Sequence, residues 1–189
     1  ALEWVEDRLL ADAGLAAPPR YRRHDTGEAL DAKPAGLTHL FDDQSLVPKA
    51  HPIIRLRGQL DLLQAHLLDA QVTAQQEHLA DVARDLGDLL TYGRGLLAAE
   101  VRSMAPPELV MAGFDAEELH RVSHHTQEYL GVGFLLPAAD MGPTAVKLNL
   151  VRAVSREVEL AAVAALGQDT HVPEAHRERL LQGLNRLSN

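Results

Sequence analysis

The sequence predicts an all-α protein, an up-and-down helical bundle of about five helices. Leu and Ala are abundant while aromatic residues make up only 4% of the 189 residues, and an aliphatic composition with few β-branched runs favours helix over sheet. Apolar residues recur at three- and four-residue intervals over long stretches. Pro, Gly and Asp stand where such stretches begin and end.

Leu2-Glu-Trp-Val-Glu-Asp-Arg-Leu-Leu10 reads as a short amphipathic helix. Pro and Gly then punctuate residues 14–50, which read as extended or looped because no period holds. The organisation is therefore a short helix and extended segment over 1–50 and a helical bundle over 51–189, within a single domain. An extended segment of that length is often functional. Arg20, Arg22 and Arg23 read as a solvated run, with a phosphate contact as the lesser alternative. At Gly36-Leu-Thr38, the amides freed by Gly and the Thr hydroxyl suit phosphate oxygens and a hydrated magnesium as well as they suit an ordinary turn.

Pro52 suits the first turn of a long helix running to roughly Ala74, with the core stripe Leu56, Leu60, Leu63 and Leu67. A second helix spans roughly Glu77 to Ser103, where Gly93 and Gly95 allow either a kink or the close approach of another element. Asp115 and Glu118 form a capping box for a third helix, with Phe114 placed to staple onto Leu119. That helix carries His120 and His124 at a spacing that can chelate a metal, and Glu117-x-x-His120 is one half of a di-iron motif whose other half is absent; hydrogen-bonded or surface histidines are the simpler reading. Gly131-Val-Gly-Phe134-Leu-Leu-Pro137 reads as a turn with an apolar tongue plugged into the core. Gly142-Pro143 opens a helix to about Leu166, and Pro173 opens a last one carrying Leu180, Leu181, Leu184 and Leu187.

The formal charge of −9 argues against nucleic acid or an anionic membrane as a main partner, and no apolar run is long enough to span a bilayer. With no Cys there is neither a disulfide nor a thiolate metal site, and a reducing cytoplasm is the expected compartment. Two charged stripes remain to be explained. Arg152, Arg156 and Glu159 fall at i, i+4 and i+7 on one helix face. Asp61 interrupts a stripe that is otherwise apolar or small: Ile54, Gly58, Ala65, Leu68 and Val72. Charges on packing faces must meet each other, as a buried structural pair, or meet a ligand.

Lys49-Ala-His-Pro52 leading into Gly58-Gln-Leu-Asp61-Leu-Leu-Gln64, then Phe134-Leu-Leu-Pro137, then Arg152-x-x-x-Arg156-x-x-Glu159, then Leu184-Asn-Arg-Leu-Ser188 occur in that order. This series resembles the ATP:cob(I)alamin adenosyltransferases of the propanediol- and ethanolamine-utilisation type. Lys33-Pro-Ala-Gly-Leu-Thr-His-Leu40 and Glu118-Leu-His-Arg-Val-Ser-His124 bring it nearest the ethanolamine branch. The resemblance runs from about Lys33 to the last residue and implies transfer of the 5′-deoxyadenosyl group of ATP to Co(I) of cobalamin, with release of triphosphate.

By resemblance, Arg156 binds the triphosphate, and Arg152 pairs with Asp61 across a subunit interface. Glu159 and Asn185 hold the nucleoside or its Mg2+, and Thr38 and Lys49 contact phosphates. Gln64 stands where relatives commonly carry Asn, and Phe134, flanked by Leu135, faces the corrin and keeps the lower base off the cobalt. The implied assembly is a homo-oligomer, a trimer by preference, with sites between subunits. The implied partners are a reductase and an adenosylcobalamin-dependent acceptor enzyme. The pattern of relatives continues into further apolar helix past Asn189, so more chain is expected there. Two departures stand out. The Gly- and Asp-containing start of the ATP loop is missing, which leaves open a non-catalytic cobalamin carrier on the same bundle. The Cys-rich metal segment common in the ethanolamine branch is absent as well.

Overall fold

The computed structural model describes residues 20–133, 135–167 and 170–187, so the helix expected near the start of the chain lies outside the described residues. Contacts divide the chain into two compact units, residues 1–51 and 52–189.

In the first unit, β1 (Tyr21–Arg23), β2 (Ala29–Leu30), β3 (Leu37–His39) and β4 (Ser45–Pro48) form a sheet in the order β2-β1-β4-β3. The β1–β2 and β3–β4 pairs are antiparallel, and β1 runs parallel to β4. The Asp42 side chain accepts hydrogen bonds from the Gln44 amide (2.8 Å) and the Ser45 hydroxyl (2.9 Å), closing the β3–β4 turn as short acidic side chains do. Leu40, Leu46 and Val47 are its buried apolar residues. The sequence reading of this segment as extended or looped missed the sheet, because strands of two to four residues are too short for a period of two to register.

The second unit is the bundle. Its long helices are α1 (Pro52–Gln76), α2 (Ala80–Arg102), α5 (Pro143–Leu166) and α6 (Glu174–Leu187). Two short helices, α3 (Ala116–His124) and α4 (Thr126–Tyr129), follow a hairpin of β5 (Val110–Met111) and β6 (Phe114–Asp115). α1 packs against both α2 and α5, and α6 packs on α5 and α2, so the four long helices close a ring. The expected stripe Leu56, Leu60, Leu63 and Leu67 is buried on α1, facing Leu86, Leu90 and Leu96 of α2 and Val151, Val158 and Ala162 of α5.

The structure corrects one boundary. Glu77 does not begin the second helix. It sits in the three-residue link before α2, where His78 adopts φ 59° and turns the chain. The Glu77 carboxylate accepts a hydrogen bond from the Thr144 amide (3.0 Å), capping α5 from a distance. It does so because the N-cap of α5, Gly142, has no side chain to offer. α2 continues without a break through Gly93 and Gly95. At Gly95, a Cβ would lie 2.8 Å from Pro107 Cγ, so this glycine admits the chain that leaves the helix.

The same logic ties α6 to α2. A Cβ on Gly183 would stand 2.3 Å from the buried Tyr92 hydroxyl and 3.4 Å from Leu96. Gly183→Ala is therefore expected to lower stability by about 1–3 kcal/mol through overpacking, more than the ~1 kcal/mol that Ala gains over Gly in helix propensity. Thermal unfolding checks this. In a Tyr92→Phe background the hydroxyl is gone, and most of the loss should vanish.

Candidate functional site

α5 displays Arg152, Arg156 and Glu159 as their spacing requires, with both arginines exposed and Glu159 half-buried. Arg152 donates to the Asn149 side-chain oxygen at 2.9 Å, one turn back. Arg156 and Asp61 make no ion pair among the described residues. Asp61 is exposed on α1. Most of its stripe is exposed as well, Leu68 at 47% and Val72 at 43%, with Leu62 beside it at 44%, while Ile54 is half-buried. The reading of Arg152 and Asp61 as a buried structural pair is thus corrected for a single chain, because both side chains stand in solvent and each costs little there.

Among the described residues, a largely buried pair lies elsewhere. Arg57 of α1 grips Glu100 of α2 with two hydrogen bonds, at 2.7 and 3.1 Å. The His171 Nε2–H donates to the Glu100 carbonyl at 2.9 Å and lies 3.3 Å from its carboxylate. Glu100 is 1% exposed. The sequence reading missed this pair, because only the crossing of α1 with α2 brings Glu100 to Arg57, 43 residues away in the chain.

Glu159 and Asn185, assigned to one nucleoside-side role by resemblance, do meet. The Asn185 Nδ2 donates to Glu159 Oε1 at 2.6 Å, bridging α5 and α6. Arg186, next in sequence, donates from one guanidinium nitrogen to Asn185 Oδ1 at 3.1 Å and to His120 Nδ1 at 3.1 Å. Arg186 belongs to a motif the sequence made visible, yet spacing alone gave it no role. Partial desolvation, then the charge of Arg186 and the neighbouring His124, holds the His120 imidazole below its usual pKa. His124 lies one turn on, its ring centroid 4.0 Å away, and its Nδ1–H donates to the His120 carbonyl at 2.9 Å. Two imidazoles with a guanidinium against one of them make a poor cation site, since the fixed positive charge opposes a second. Among the described residues no three His, Asp or Glu side chains converge as metal ligands would.

α3 starts as its capping box demands. The Asp115 carboxylate accepts the Glu117 and Glu118 amides, each at 2.9 Å, and Glu118 accepts the Asp115 amide at 3.1 Å. Phe114 is 39% exposed, in strand β6. Beside α3, a cleft of about 510 Å³ opens between Tyr92, Glu108, Glu117, Arg179, Gln182 and Arg186. Burial pushes the Tyr92 phenol above its ordinary pKa.

The tongue does not plug into the core. Leu135 is 63% and Leu136 74% exposed, and Phe134 itself lies outside the described residues. Gln64 is half-buried on α1 with its stem toward Gly93 of α2, and its Nε2 is buried with no hydrogen-bond partner among the described residues. In the first unit, Thr38 pairs with Val47 across β3 and β4, and the Lys49 amide donates to the Gly36 carbonyl at 2.9 Å. Thr38 and Lys49 therefore share one hairpin.

Taken together, an aliphatic helical bundle presents guanidiniums on an open face of α5, next to a carboxylate–carboxamide pair. That defines a class first, a helical-bundle protein with an open, charged face on α5. The sequence profile of the cobalamin adenosyltransferase family matches residues 30–189, and the chain belongs to that family. The corrinoid adenosyltransferase EutT of Salmonella typhimurium strain LT2 is 34% identical over 160 residues, which cover 83% of this chain and 56% of that protein. The protein of the same name from Escherichia coli K12 is 35% identical with the same coverage. The chain thus spans about half the length of the curated relatives it matches, 56%. No solved structure matches it significantly. Among the described residues no helix is long and apolar enough to cross a membrane.

Proposed function

We propose that this chain carries out ATP-dependent adenosylation of a corrinoid. The C5′–O bond of ATP breaks as the electron pair of Co(I) forms a Co–C bond, and triphosphate leaves. No protein nucleophile is needed for this step; the protein positions ATP and neutralises the leaving group. The observation that carries the reading is the α5 face of a chain in this family, with two exposed guanidiniums one turn apart and Glu159 tied to Asn185. Arg156 takes the triphosphate, because its planar fork suits phosphate oxygens and it makes no ion pair among the described residues. Glu159 and Asn185 hold the nucleoside or its Mg2+. Thr38 and Lys49 contact phosphates, and the buried Gln64 amide offers a further donor. Phe134 and Leu135 exclude water and the lower base from the cobalt, which makes it easier to reduce.

Arg152 and Asp61 meet across an interface in a homo-oligomer, a trimer by preference. The exposed Leu62, Leu68 and Val72 around Asp61 support this, because such a stripe is costly in water. The cytoplasm is the compartment that suits this chemistry. Its working partners are a reductase that supplies the electron and an enzyme that uses adenosylcobalamin.

The test is the absorbance spectrum of Co(II)balamin with the protein, with and without MgATP. An ATP-dependent change to the four-coordinate spectrum is expected. A corrin-bound spectrum indifferent to ATP would replace this reading with a carrier, and no change at saturating protein would overturn both.

A further inference from the structure

We propose that Arg186 and His120 are positioning residues that lock the Asn185 carboxamide in one orientation, so that its nitrogen always faces Glu159. The inference rests on the nucleoside-side role given above to Asn185 and Glu159. It starts from what each group is able to donate. A carboxamide has two faces and can flip unless its neighbours forbid it. Here the neighbours forbid it. Arg186 is a donor only, so the atom 3.1 Å from it must be the Asn185 oxygen. Glu159 is an acceptor only when ionised, so the atom 2.6 Å from it must be the Asn185 nitrogen. A flipped amide would set donor against donor and acceptor against acceptor.

Arg186 is itself held. The same guanidinium nitrogen that serves Asn185 spends its other proton on His120 Nδ1, at 3.1 Å. That bond requires His120 to be neutral with its proton on Nε2. The relay therefore runs from His120 on α3, through Arg186 and Asn185 on α6, to Glu159 on α5. α3 is separated from the tongue at residues 131–137 only by the short α4, so the relay starts on the helical segment that precedes the tongue.

The experiment measures KM for ATP and kcat for adenosyl transfer at saturating corrinoid, in the full chain. Arg186→Met is expected to raise KM for ATP about tenfold while kcat changes little, because a charge-assisted hydrogen bond orienting a binding group is lost. In an Asn185→Ala background the same Arg186→Met change should add almost nothing, since there is no amide left to orient. His120→Asn keeps an acceptor oxygen where Nδ1 stands, and should stay near the unsubstituted KM; His120→Leu removes it and should raise KM about fivefold.

Full additivity of Arg186→Met with Asn185→Ala overturns the proposal, as does equal KM in His120→Asn and His120→Leu. Should Arg186→Met fail to fold, the His120 pair decides alone. If Asn185→Ala leaves KM for ATP unchanged, the nucleoside-side assignment itself falls and this relay with it. If Asn185→Ala raises KM while Arg186→Met is additive, only the relay falls.

Discussion

Arg156→Ala is expected to cut adenosyl transfer by about 100-fold or more while leaving the fold intact. Two features of the structure make both halves of that expectation. Arg156 is exposed on α5 and makes no ion pair among the described residues, so its removal leaves no buried partner stranded. Exposed substitutions of this sort usually move stability by no more than about 0.5 kcal/mol. The guanidinium, by contrast, is the group assigned to a leaving triphosphate, whose charge grows as the C5′–O bond breaks. A fixed donor fork aimed at developing charge is worth far more to the transition state than to the resting protein. Arg156→Lys keeps the charge and loses the fork, so it should recover only part of the rate. Steady-state kinetics and a thermal melt on the same samples check this. A variant that melts early while its folded fraction uses ATP normally would remove Arg156 from the site.

How far such a site can be read from sequence depends on whether its parts are local. The helix from Pro143 to Leu166 was legible because Gly142-Pro143 punctuates its start and its apolar stripe is long. The capping box at Asp115 and Glu118 was legible because both bonds close within four residues. The common face of Arg152, Arg156 and Glu159 follows from helical period alone. Contacts between helices were not legible. Nothing in the spacing joins Arg57 to Glu100, or Arg186 to His120, which are 43 and 66 residues apart. Glu77 looked like a helix residue because propensity favours it there, yet the chain spends its carboxylate on the first turn of α5. The tongue was read as core because its residues are apolar, and a pattern of apolar residues does not distinguish a core from a surface reserved for a ligand or a partner.

The Arg57–Glu100 pair allows the largest stability effect to be stated. Arg57→Ala is expected to cost about 3–5 kcal/mol, because it leaves a carboxylate that is 1% exposed without its bidentate partner. His171 stays beside Glu100, but its Nε2–H already serves the Glu100 carbonyl at 2.9 Å and only grazes the carboxylate at 3.3 Å. For a chain of this size a loss of that order lowers the melting temperature by roughly 6–20 °C. The pair itself need not be strongly stabilising, since two charges taken from water cost nearly what their attraction returns. The double replacement Arg57→Met with Glu100→Leu should therefore lie much closer to the unsubstituted protein than Arg57→Ala does. Urea denaturation of the three proteins separates these terms. A loss below about 1 kcal/mol in Arg57→Ala would mean that Glu100 does not depend on Arg57, and the burden of holding α1 to α2 would pass to their leucines.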